Sequence, residues 1–147
     1  MELKMAEPTD VDILLPLVRH YHQFEQIEMS DADRIKAFSP LLEKNTLGQI
    51  WLILLFQQVV GYIALCYGYS IEFGGRDAFV DEFFIEAPAR GQGLGRAVLD
   101  AIKIKAANQG IVALHLEVAR TNRRAKALYT QLGFEAREHF HLMSCTF

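Results

Sequence analysis

The apolar positions of this chain follow a helical period in its first third and a strand-like period after it. Residues 3–6 alternate weakly and predict a first strand. Pro8, Thr9 and Asp10 offer a helix start, with Thr9 or Asp10 as N-cap. Leu14, Leu17, Val18 and Tyr21 follow at helical spacing. Pro16 falls inside that run and is expected to kink or break it, because proline lacks the N–H a helix needs. Ser30 to Asp33 read as a second N-cap, leading a helix to about Lys44 that Asn45, Thr46, Leu47 and Gly48 end.

From Gln49 the texture changes. The continuous apolar run 50–56 predicts a buried strand, Gln57-Gln58 a turn, and 59–69 a second strand. Gly74 to Asp77 predict another turn and 78–86 a third strand, completing an antiparallel meander. A helix is expected from about Gly93 to Asn108, with Leu94, Ala97, Val98, Ala101 and Ile102 on one face and Gln109-Gly110 as its stop. Residues 111–118 read as a strand. Thr121-Asn122 cap a short helix whose apolar stripe is Ala125, Leu128, Tyr129 and Leu132. Gly133 ends it, and Phe134 opens a last pair of strands ending near Phe147. The strand–helix–strand crossover around residues 86–118 implies one parallel contact, so the sheet is mixed and the class is α/β or α+β.

Composition narrows the function classes. At 147 residues the chain is expected to be one domain, long enough to bury a core. An apolar fraction of 51% argues against disorder. A net charge of −3 leaves no broad basic field, which excludes a nucleic-acid partner. The positive charges gather locally, at Arg90, Arg96, Arg120, Arg123, Arg124 and Lys126, a pattern suited to a small anion. Cys66 and Cys145 fit no metal or redox spacing and are expected to be two buried thiols. No metal site is expected. The N-terminus lacks a signal-peptide core, and residues 50–56 are too short to span a bilayer, so a soluble cytoplasmic protein without a membrane partner is expected.

The most informative segment is Arg90-Gly91-Gln92-Gly93-Leu94-Gly95-Arg96. Three glycines lie between a strand and a helix, where unpaired backbone N–H groups meet the positive end of the helix dipole. That is a cradle for phosphate or pyrophosphate. A dinucleotide fingerprint fails in both registers, since its third position falls on Leu94 or Val98. A P-loop is excluded because no Gly-Lys-Ser/Thr triplet exists.

Residues 90–95 resemble the Gln/Arg-x-x-Gly-x-Gly/Ala signature of the GNAT superfamily of N-acetyltransferases. The lead-in from Val80 to Pro88 resembles that family's fourth strand. Asn122 to Tyr129 and Leu132-Gly133-Phe134 are similar to its second conserved block. The likeness covers nearly the whole chain but is specific from about Val80 to Phe134. It implies a GNAT-like single domain, with a mixed sheet splayed between its fourth and fifth strands and flanked by about four helices. It implies acetyl-CoA as co-substrate. The pyrophosphate would rest on the amides of Gly91, Gln92, Gly93, Leu94, Gly95 and Arg96, with charge added by Arg90 and Arg96. The pantetheine arm would pair with backbone groups of about Phe83, Phe84 and Ile85.

The implied reaction is acetyl transfer to a primary amine, with a small-molecule acceptor expected, by direct attack in a ternary complex. Tyr129 falls where the family places a tyrosine facing the CoA sulfur, which makes it a candidate general acid, or a packed aromatic. Asn122 is a helix N-cap or a CoA contact. Asp81 and Glu82 are candidates for the general base. Strand alternation puts them on opposite faces, so only one is expected to face the amine. Among the histidines, His20 and His22 form an i,i+2 pair without a ligand-like grouping, His115 reads as structural, and His139 and His141 as a solvated face. Tyr21, Phe24, Glu25 and Glu28 lie where the family walls its acceptor site, with the two glutamates expected at the surface. The competing reading is an acyl-CoA-binding regulatory or sensor module without catalysis. A homodimer is compatible with the resemblance.

Overall fold

The computed structural model describes residues 1–43 and 46–147. They divide into two units, residues 1–117 and 118–147. The first runs β1 (Glu2–Met5), α1 (Val11–Phe24), α2 (Asp31–Leu42), β2 (Gly48–Leu55), β3 (Gln58–Ser70), β4 (Gly75–Ile85), α3 (Leu94–Asn108) and β5 (Ala113–His115). The strands lie in sequence order. All neighbours are antiparallel except β4 and β5, which are parallel across the α3 crossover. This is the mixed sheet that the patterning predicts.

The turns shift from their predicted places. Leu55 faces Gln58, so Phe56 and Gln57 form a two-residue hairpin loop. Both have left-handed φ, 50° and 66°, as such a loop demands to match the strand twist. Phe56 therefore leaves the strand expected for it and is exposed. Ser70 faces Gly75, so the next turn is residues 71–74, and Gly75, Arg76 and Asp77 belong to β4 instead.

Helix starts also separate into right and wrong. Ser30 Oγ accepts from the Asp33 N–H at 3.1 Å, the expected cap of α2. The expected end of α2 at Lys44 and Asn45 lies outside the described residues, and Gly48 opens β2. Asp10 precedes α1 but makes no cap bond to it. Its carboxylate accepts from the Glu7 N–H at 2.9 Å and from Lys4 Nζ at 2.8 Å, closing the short 3-10 turn Pro8–Asp10. Pro16 does not break α1, which is one helix through Phe24. An internal proline costs about 3 kcal/mol. Burial of Leu14, Leu17 and Val18 on the same helix contributes about 1.5–3 kcal/mol each and outweighs it.

α1 and α2 cover one face of the sheet, where Leu14, Val18 and Phe38 meet Leu52, Tyr62, Ala64 and Phe84. Alternation sends Trp51, Ile53, Ile63 and Leu65 to the opposite face, all buried. α3 buries Leu94, Val98, Leu99, Ile102 and Ala106. Its apolar face is rotated from the expected one: Ala97 is exposed and Ala101 half-buried, while Leu99 and Ala106 are inside. Leucine loses far more than alanine when left in water, so the stripe turns toward Leu99.

In the second unit, α4 (Arg123–Gln131) begins where Asn122 Oδ1 accepts the Ala125 N–H at 3.1 Å. Leu132 is buried, and Ala125, Leu128 and Tyr129 are half-buried. The expected final pair of strands is not formed: residues 134–147 contain no strand. Phe134 and Phe140 N–H groups make only local bonds, to the Tyr129 and Arg137 carbonyls. A strand exists only through its ladder, and alternating residues without one remain irregular. The two buried thiols are also corrected. Cys145 lies in this unpaired segment and is exposed, and Cys66 is half-buried toward the outer end of β3. Burial pushes the Cys66 thiol up to about 11, with the Asp81 and Glu82 carboxylates adding to it. No described helix is long and apolar enough to cross a membrane.

Candidate active site

The glycine segment connects β4 to α3 through the short 3-10 turn Ala87–Ala89. Gly91 and Gly93 both have left-handed φ, 79° and 76°, which a side chain opposes. Gly93 is the N-cap of α3, and the helical ladder opens with the Ala97 N–H on its carbonyl at 3.1 Å. The amides at the head of the helix therefore have no partner within it. With the dipole behind them, they present a terminus whose geometry suits an anion.

β4 leads into this terminus along an open edge. Its parallel pairing with β5 is confined to Asp77, Ala78 and Phe79, while β4 continues to Ile85. Alternate residues of a strand turn their backbone groups to opposite sides. Glu86 N–H donates to Val60 of β3 at 2.8 Å, so the Ile85 groups face away from β3. Arg90 holds that Ile85 carbonyl through Nε at 2.6 Å, and its guanidinium lies over the rings of Phe24 and Phe84. Arg90 is thus tied to the strand edge as well as flanking the glycines. Phe84 is buried and Phe83 and Ile85 are half-buried.

The carboxylates depart from the simple strand rule. Leu65 faces Val80 and Ala64 faces Glu82, which leaves Asp81 as the extra residue of a β-bulge. The bulge cancels the alternation. Instead of pointing to opposite faces, Asp81 and Glu82 both line one cavity of about 270 Å³ between the sheet and α1–α2. Partial withdrawal from water raises the Asp81 carboxyl above the ordinary carboxylate range, and the Glu82 and Glu117 charges raise it further.

Glu82 is held from two sides. Tyr62 Oη donates to Oε2 at 2.6 Å, and His22 Nε2 meets Oε1 at 2.7 Å. Arg34 Nε donates to His22 Nδ1 at 3.2 Å, which makes Nδ1 the acceptor and assigns the ring proton to Nε2. Arg34 in turn donates to Asp31 at 2.8 Å, and Asp31 is also bound by Arg19 at 2.7 Å. His22 and Arg34 are buried. Burial, then the adjacent Glu82, pushes the Tyr62 hydroxyl far up, so it remains a donor. Sequence reading missed His22, Arg34 and Tyr62. The only linear signal was that His22 falls on the inward stripe four residues after Val18. Of the expected wall residues, Tyr21 packs on Tyr62 and Phe84, while Phe24, Glu25 and Glu28 are exposed. Ile27 and Met29 line the cavity in their stead.

Two further histidines pair with acids. His20 Nδ1 is 2.6 Å from Glu86, and His115 Nε2 is 3.1 Å from Asp77. Among the described residues no group of three or more His, Cys, Asp or Glu side chains is arranged to hold a metal. In the second unit, Tyr129 stacks edge-on against Phe134, and burial raises its hydroxyl. Lys126 binds Glu138 at 3.1 Å. Asn122 serves as the cap, which occupies its carbonyl oxygen.

A model of the acetyltransferase (GNAT) family matches residues 15–134. This chain belongs to that family. It is 27% identical over 135 residues to the uncharacterized N-acetyltransferase YhfO of Bacillus subtilis, covering 92% of this chain and 90% of that protein. The integron cassette protein HFX_CASS3, from the mobile metagenome of Cole Harbour Salt Marsh, shares 36% identity and superposes with a TM-score of 0.85, covering 97% and 89% of the two chains. An acetyltransferase of Clostridium acetobutylicum, solved with acetyl-CoA, has the same fold at 19% identity (TM-score 0.78, 97% and 95% covered). GNAT enzymes take the acetyl group from acetyl-CoA. This GNAT chain is accordingly an acetyltransferase.

Proposed function

We propose that this enzyme transfers the acetyl group of acetyl-CoA to the primary amine of a small molecule, by direct attack in a ternary complex. The bulge that brings Asp81 and Glu82 onto one cavity carries the reading. Two carboxylates there attract an ammonium, and the one with the raised pKa takes its proton. Asp81 has that role. Glu82, fixed by Tyr62 and His22, holds the ammonium and keeps Asp81 raised.

The neutral nitrogen attacks the thioester carbonyl carbon. A C–N bond forms, the C–S bond breaks, and a second N–H proton leaves from the tetrahedral intermediate. Tyr129 gives its phenolic proton to the departing sulfur and regains one from solvent, so the products are an amide, a CoA thiol and one net proton. The amides of Gly91, Gln92, Gly93, Leu94, Gly95 and Arg96 receive the pyrophosphate, with Arg90 and Arg96 adding charge. Phe83 and Ile85 offer the strand edge to pantetheine, whereas the expected backbone contact at Phe84 is corrected because alternation turns its N–H and C=O toward β3. Asn122 adds a CoA contact through its amide nitrogen. Pairing at Ile85 requires Arg90 to release that carbonyl.

Two measurements test this. Tyr129→Phe is expected to lower kcat about 10²-fold while the acetyl-CoA Kd stays at the wild-type value. An unchanged kcat removes Tyr129 as the acid. Initial rates varied in both substrates should give intersecting double-reciprocal lines, whereas parallel lines would mean a covalent acyl-enzyme. For the loop, Gly93→Val meets no atom within 4 Å of the added Cβ, so its penalty is conformational. That penalty, about 1–3 kcal/mol, predicts a roughly 5–150-fold weaker acetyl-CoA Kd by titration calorimetry. Unchanged affinity would remove this loop as the phosphate cradle.

A further inference from the structure

The cavity beside Asp81 and Glu82 has a lining that says more about the acceptor than its carboxylates do. Most of its lining is hydrocarbon: Val18, Met29, Phe38, Leu41, Ile50 and Ala64 all face it. Its volume of about 270 Å³ exceeds the roughly 150 Å³ of a cavity that takes benzene.

The other polar groups at the wall are already engaged. The Tyr62 hydroxyl and His22 Nε2 are spent on Glu82, and His22 Nδ1 accepts from Arg34. Arg34 is a buried cation bound to Asp31. A second ammonium on the acceptor would find aliphatic wall or the Arg34 charge, and hydroxyls would find few free partners. Both would lose water without replacement.

We infer that the acceptor is a monoamine on a compact uncharged apolar body, an alkylamine or arylalkylamine, with the ammonium at Asp81 and Glu82 and the hydrocarbon against α1 and α2. Polyamines and amino sugars are poor acceptors. The inference rests on the amine-acetylation reading above.

The test is kcat/KM with acetyl-CoA for n-alkylamines of two to five carbons, phenethylamine, spermidine, lysine and kanamycin. Each added methylene is expected to raise kcat/KM about fourfold until the cavity is full. Phenethylamine should exceed spermidine by about tenfold or more. Ala37 is exposed on α2 and lines the cavity, so Ala37→Trp can occupy it without disturbing the core. That variant should raise the pentylamine KM about tenfold and leave the acetyl-CoA KM alone. A flat chain-length series, a preference for spermidine or kanamycin, or an indifferent Ala37→Trp overturns the inference while leaving amine acetylation standing. Failure of every amine despite acetyl-CoA binding overturns both.

Discussion

Asp81→Asn is expected to lower kcat/KM by about 10²–10⁴-fold at neutral pH, the contribution of a positioned general base. Asparagine keeps the size and the bulge but cannot take a proton. In the wild type, rate should fall as pH drops through the Asp81 pKa, which desolvation beside the cavity wall, then the charges of Glu82 and Glu117, hold above the usual carboxylate range. Glu82→Gln removes one of those charges, so its acid limb should move to lower pH. A limb that stays in place would show that another group titrates.

The same substitution has an opposite effect on stability, and the sign follows from linkage. Asp81 binds its proton more tightly in the folded chain than in the unfolded one. Its ionisation therefore opposes folding above the raised pKa, and this penalty vanishes below the unfolded value. Asp81→Asn should raise Tm near pH 7 and leave it unchanged near pH 3. An enzyme that gains stability as it loses activity is the signature of a carboxylate placed for chemistry.

The second large effect is expected at His22. His22→Ala should destabilise the fold by about 2–5 kcal/mol, because it leaves Arg34 Nε without its acceptor and removes a donor from Glu82. For a chain of this size that lowers Tm by about 5–15 °C in a calorimetric scan. His22→Gln is the discriminating variant. A glutamine amide can donate to Glu82 and accept from Arg34, as the assigned imidazole tautomer does. It should recover stability and the KM for the amine together. Equal damage from both variants would mean that the ring packs without conducting the hydrogen bonds.

The linear pattern carried the element order and the family well. The caps at Ser30 and Asn122 are local features, each set by residues three positions apart. The glycine loop is local too. Gly91 and Gly93 occupy left-handed conformations that glycine alone adopts freely, so its spacing was visible directly. Errors came where pairing decides. Phe56 was read as strand and became a turn because the hairpin required two positive φ values. Residues 134–147 have the alternation of strands, but alternation cannot supply a neighbouring backbone.

The sequence by itself determined that the chain is built around a glycine-opened helix and placed two acids ahead of it. It put the two on opposite faces of the strand, and there it failed. A single unpaired residue on β4 turned Asp81 to the side of Glu82, and a bulge depends on the register against β3 rather than on any local signature. The grip on Glu82 was equally out of reach, since His22 lies 60 residues and Tyr62 20 residues away along the chain. Local sterics set helices, turns and glycine loops, whereas charges in a cavity are arranged by packing between distant segments. That is why the glycine loop could be read along the chain and the setting of the two carboxylates only across it.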